Sequence, residues 1–249
     1  MLVTSFLPDG LDLWMALALI GLSFVTSIIT ATFSLGGGIL MVAVLALVFP
    51  PAIVVPIHGC VQLGSNAGRA LLQRAHIQWQ MIVWISLGAI IGSIVGGQFA
   101  YLMPEHLLTL AIGLFVLVSI WLPQPKIIAD SRAVQFAGGA IISALGMVVG
   151  PTGPLIATFV RGLPDRRQLV ATHAMLMTVQ NLFKVLTFIV LGFAFGAYLP
   201  LIALMVIAGF AGTAVGSRLL LHVPERLFRT GFKIVVSIVA LDLIRGALF

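Results

Sequence analysis

HGCVQLGSNAGR (residues 58–69) and HAMLMTVQNLFK (173–184) are the stretches on which the reading of this chain turns. A shift of 115 positions sets His58 on His173, Asn66 on Asn181 and Arg69 on Lys184. Polar residues are scarce here. Of 249 residues, 61% are hydrophobic and 8% charged, and the mean hydropathy is +1.20. Three polar matches at one register are too many for two unrelated apolar helices, so the chain carries an internal repeat. Outward from these stretches the match continues. Gly36-Gly37-Gly38 falls on Gly150-Pro151-Thr152-Gly153. At a shift of 120, Gly92 meets Gly212, Gly96 meets Gly216, and Pro104-Glu105 meets Pro224-Glu225.

A soluble domain carries roughly 25% charged residues, so the solvent for most of this exterior is lipid. Backbone in lipid must satisfy itself, which leaves helices or a closed barrel. The apolar runs are continuous rather than alternating, and that selects an all-α integral membrane protein. Five segments recur in each half. The first half gives A (13–33), a short B (39–49), C (53–72), D (79–102) and E (107–122). The second gives A (133–149), a short B (154–160), C (169–192), D (199–221) and E (227–248). Eight are long enough, or nearly so, to span a core of about 30 Å. The halves, 1–125 and 126–249, form one membrane domain. The N-terminal run 13–33 reads as a retained span, being too long for a signal-peptide core. The net charge of +6 is scattered between apolar runs and is no nucleic-acid footprint. Cys60 is the sole cysteine, so no intramolecular disulfide forms.

Basic loops favour the cytoplasm. If A and B together cross an even number of times, the two copies are inverted. Arg74, Lys126, Arg132, Arg161, Arg166, Arg167, Arg218, Arg226 and Arg229 then share one side, and Arg245 alone lies opposite. If A and B form one broken span, the copies are parallel and the loop charges split almost evenly. The bias favours inverted repeats, with both termini outside the cytoplasm. Asp9 and Asp12, with no base nearby, suit that placement. Inverted repeats are a common transporter architecture.

Segment C carries the chemistry. At 100° per residue, His58, Gln62, Asn66 and Arg69 lie at about 0°, 40°, 80° and 20°, which is one stripe. His173, Asn181 and Lys184 form the matching stripe. Inversion puts His58 level with Lys184, and His173 level with Arg69. Such groups are costly in lipid and should face the interior or a water-filled cavity. Lys and Arg only donate, and Asn offers two N–H groups. Asp242, three residues before Arg245, is the one carboxylate within a span, and it pairs with that arginine. Donors and cations without acids suit an anion. The breaks at Gly36, Gly37 and Gly38, and at Gly150, Thr152 and Gly153, each precede a short helix. A new helix N-terminus has free N–H groups and favours negative charge. His58 and His173 are the groups in the pathway that titrate near neutrality, hence the candidates for proton coupling.

Plainer readings stand beside these. Arg69 can snorkel to the interface. The histidines and asparagines can be interhelical contacts, and the breaks tight turns. Gly88, Gly92 and Gly96, with Ala208, Gly212 and Gly216, read as packing faces. An intramembrane hydrolase would need a nucleophile beside His58. Cys60 points about 200° away and Ser65 lies two turns on, so no activated pair is visible. An anion channel is the other alternative.

The strings SLGGGIL (34–40), GMVVGPTGPLI (146–156), GSIVGG (92–97) and GTAVGS (212–217), in this order, resemble the sulfite exporter TauE/SafE family. The resemblance implies a permease of a prokaryotic cytoplasmic membrane for small sulfur-containing anions such as sulfite and organosulfonates. Pro151 and Pro154 distinguish the second break from the first, so the two need not contribute equally. The expectation is a secondary-active transporter of a small anion working by alternating access, not an enzyme. Its substrate contacts are Gly36, Gly37, Gly38, Gln62, Asn66, Arg69, Gly150, Thr152, Gly153, Asn181 and Lys184. Its partners are the anion and the bilayer, with homo-oligomerisation open, no nucleic acid, no cofactor and no metal. No GxxxxGK[ST] loop is present, so an ion or substrate gradient would drive it.

Overall fold

The computed structural model describes residues 8, 11–33, 36–123, 127, 131–219 and 225–248. Asp9, Ser34, Leu35, Lys126 and Pro224 lie outside the described residues, as do the side chains of Arg218, Arg226 and Arg229. Ten α-helices and no strand occur among the described residues. They are α1 (Leu13–Phe33), α2 (Gly37–Val48), α3 (Pro51–Leu72), α4 (Trp79–Leu102) and α5 (Glu105–Trp121), then α6 (Arg132–Val149), α7 (Gly153–Val160), α8 (Arg166–Val190), α9 (Leu199–Leu219) and α10 (Glu225–Leu248).

Local chemistry explains where the helices depart from the apolar runs. α3 begins earlier, because Pro51 occupies the first turn, where its missing N–H costs nothing. α8 begins three residues early, because the Asp165 carboxylate caps it by accepting from the Arg167 N–H at 2.8 Å. It ends before Gly192, whose φ of 87° no helix accommodates. α2 starts inside the glycine run, at Gly37.

The span count differs from the expected eight. Among the described residues, five stretches are long and apolar enough to cross a bilayer: Leu13–Thr32, Trp79–Leu102, Arg132–Val149, Arg166–Val190 and Phe195–Gly216. α5 has 17 residues and is a shorter apolar helix. α3 and α10 are also long: Pro51, Pro56, His58, Gln62, Asn66 and Arg69 lower the hydropathy of α3, and α10 carries Glu225, Lys233, Asp242 and Arg245 among others, whereas α8, with the matching stripe, still qualifies. The exterior is apolar, as lipid requires: Ile94, Ile141, Ile207 and Ile238 are all more than half exposed. Asp242 and Arg245 pair at 2.7 Å.

The main pairs are α1 with α9, α4 with α6, α3 with α8, and α5 with α10. Every pair takes one helix from each half, so neither half has a core of its own. Exchanging α1 with α6, α3 with α8, α4 with α9 and α5 with α10 leaves this set of pairs unchanged. Glycine permits the two closest pairs. A Cβ on Gly92 would lie 2.0 Å from the Ala140 carbonyl oxygen of α6, and one on Gly212 would lie 2.2 Å from that of Phe24 in α1. Hydroxyls add cross-links. Ser23 donates to the Met205 carbonyl at 2.6 Å, and Thr32 to that of Gly216 at 3.2 Å.

Gly92→Ala should destabilise the protein by about 1–3 kcal/mol, since backbone rather than a movable side chain blocks the new methyl. Gly21, with nothing within 4 Å of its would-be Cβ, is the control. Thermal unfolding in detergent should show G92A melting several degrees lower and G21A no lower than the parent. Equal melting points for the two variants would contradict the close α4–α6 contact.

Candidate functional site

The site is built where the two broken regions meet the central pair α3–α8. Gly36 caps α2 at φ 106°, and Gly150 ends α6 at φ 94°. Both values lie in the region that side chains avoid. Gly37 and Gly38 are needed for room. A Cβ on Gly37 would sit 2.0 Å from the Thr26 carbonyl oxygen, and one on Gly38 would sit 2.9 Å from Gln62 Nε2.

One histidine holds each break. His58 donates from Nε2 to the Gly38 carbonyl at 3.1 Å, and His173 from Nε2 to the Gly153 carbonyl at 3.0 Å. A carbonyl only accepts, so Nε2 carries the proton and Nδ1 of the neutral ring keeps its lone pair. Further along the stripes, Asn66 donates to the Gln62 carbonyl at 2.7 Å and Asn181 to the Met177 carbonyl at 2.9 Å. Arg69 donates to Asn66 Oδ1 at 2.6 Å.

Between the breaks lies a cavity of about 30 Å3, room for one or two waters. Gly36, Gly38, His58, Gln62, Asn66, Arg69, Gly153 and His173 line it, together with Thr30, Ile39, Pro151, Pro154 and Met177. The lining contains no carboxylate. The first turn of α2 brings main-chain N–H groups here, whereas α7 brings fewer, because Pro151 and Pro154 have none.

Eight of the thirteen residues expected at the site therefore share one cavity. Gly37 instead packs on α1. Gly150, Thr152, Asn181 and Lys184 do not line it; Gly150, Thr152 and Lys184 form a neighbouring cluster, while Asn181 bonds back to Met177 on its own helix. Lys184 donates to the Gly150 carbonyl, and its stem lies against Gly59, 3.0 Å from a Cβ placed there. Lys184 thus sits level with His58, and Arg69 shares the cavity with His173. The cluster adds Gln180, whose Oε1 accepts from the Thr152 hydroxyl at 2.8 Å. Gln180 was legible, since it lies seven residues after His173 and four before Lys184, on the same stripe. Thr30, on another helix, left no sequence signal. Among the described residues no three His, Cys, Asp or Glu side chains converge as a metal site. Cys60 packs against the apolar core.

The family model described as Sulfite exporter TauE/SafE matches residues 19–243. The chain belongs to the sulfite exporter TauE/SafE family. This TauE/SafE member is a multi-pass membrane protein, with the permease-like transporter architecture of its family. Comparison with curated proteins gave no match, and comparison with solved structures gave none.

Asn66→Ala takes the amide from Arg69 and leaves its guanidinium short of a partner. A hydrogen bond to a charged group is worth about 1.5–3 kcal/mol, so N66A should lower the unfolding temperature measurably. An unchanged melting curve would mean that Arg69 finds an equivalent partner and that this network does not order the site.

Proposed function

We propose that this protein is a secondary-active transporter of a small sulfur-containing oxyanion or organosulfonate, working by alternating access between inverted halves 1–125 and 126–249. It would lie in a prokaryotic cytoplasmic membrane with both termini outside the cytoplasm. The observation that carries this reading is the convergence of Arg69 with the N-termini of α2 and α7 on a cavity without carboxylates. Developed negative charge is favourable there and a cation is not. The family supports sulfite as the first substrate to try.

The cavity of about 30 Å3 is too small for a four-atom oxyanion with its three oxygens. A carrier that must loosen one side to admit its anion fits this small volume better than an open channel. Arg69 supplies charge, while Asn66 and Gln62 orient the anion and the N–H groups of α2 hold its oxygens. His58 and His173 tie both breaks to α3 and α8, so a change in their protonation would act on the breaks directly.

Purified protein in liposomes should take up radiolabelled sulfite with saturation and counterflow. Arg69→Gln removes a charge-assisted contact worth about 1.5–3 kcal/mol and should raise KM roughly 10- to 100-fold. Flux without saturation or counterflow would favour a channel. No flux of sulfite or any organosulfonate would overturn the assignment. Replacing both histidines with Gln should abolish any pH dependence of uptake, and an unchanged dependence would exclude them as proton carriers.

A further inference from the structure

Arg69 and Lys184 hold corresponding places in the two stripes but use them differently. Arg69 is partly buried and donates to Asn66 Oδ1. Lys184 is 3% exposed, turns away from Asn181, and donates to the Gly150 carbonyl. As a result Asn181 Oδ1 is buried without a hydrogen-bond partner, although Asn181 Nδ2 makes the same turn-back bond as Asn66. Gln180 Nε2, on the preceding residue, is also buried without a partner, and so is Nδ1 of His58. That ring nitrogen lies 3.8 Å from where a Cβ on Gly150 would be. Thr152, Gln180 and Asn181 are each at most 3% exposed. Buried polar groups rarely go unpaired, and several in one place call for an explanation.

We propose that Thr152, Gln180, Asn181 and Lys184 form a second anion half-site, closed in this conformation. It opens when the Lys184 ammonium leaves the Gly150 carbonyl for the amide oxygen of Asn181. Lys184 then stands to Asn181 as Arg69 stands to Asn66. The ammonium and the Gln180 amide N–H groups face a small oxyanion, as the guanidinium does in the first half-site. His58 links the two, with Nε2 on the Gly38 break and Nδ1 toward Gly150. The proposal rests on the transporter reading, in which the anion passes from one half-site to the other.

Its test reads exposure rather than transport. Cys60→Ser removes the native thiol and Thr152→Cys places one in the cluster, leaving Lys184, Gln180 and Asn181 in place. The full chain in liposomes is then treated with sulfonatoethyl methanethiosulfonate, a membrane-impermeant anionic thiol reagent, from each face in turn. With Lys184 intact, labelling should be slow from both faces. Lys184→Met cannot hold the Gly150 carbonyl, so labelling should rise at least tenfold from the face nearer Lys184, and Arg69→Met should not raise it. If K184M does not reach the membrane, Gly150→Ala, which strains the positive φ that aims the carbonyl, should give the same rise. Unchanged labelling, or a rise from the face nearer Arg69, would overturn the half-site. A protein that moves no sulfite yet shows the rise would contradict the proposed substrate and leave this inference standing.

Discussion

Two hydrogen bonds from histidine rings to glycine carbonyls tie the broken parts of this protein to its centre. A helix interrupted inside a bilayer leaves carbonyls and N–H groups that no water satisfies. The carbonyls of Gly38 and Gly153 lie in the first turns of α2 and α7 and already accept within the helix, and His58 and His173 each add a second bond there, from twenty residues further along the chain. These bonds set α2 against α3 and α7 against α8. The N–H ends of both short helices can then face one cavity, since the bonds occupy the carbonyl side only. At the end of α6 the Gly150 carbonyl is left without an intrahelical partner, and Lys184 donates to it at the negative end of the helix dipole.

Around this centre, glycine sets the distances. α4 lies on α6 and α9 on α1 with backbone against backbone, and these pairs clamp the central α3–α8 pair from both sides. All main pairs join one half of the chain to the other. In such an arrangement, rearrangement at one break is felt at the other through α3 and α8. That coupling is what a carrier needs and what a fixed pore does not.

The repeated string from His58 to Arg69 and from His173 to Lys184 made the central pair, the breaks and the stripe legible in the sequence. Helical periodicity put the polar groups on one face, and the scarcity of polar residues made the match meaningful. The division of those residues into two clusters was not legible. Periodicity gives the direction of a side chain from its own helix, not which way a long chain such as Lys184 reaches. It placed Arg69 and Lys184 as equals, whereas the fold gives one an amide oxygen and the other a main-chain carbonyl. Length made α3 a span, although it is not among the five described stretches that are both long and apolar enough to cross.

Selenite has the shape and charge of sulfite and carries a heavier central atom. A structure of the protein with selenite, with selenium located by anomalous diffraction, would test the site directly. The account predicts selenium between Gly38 and Gly153, within contact distance of Arg69. Selenium at neither of the two half-sites, in a protein that transports selenite, would contradict it.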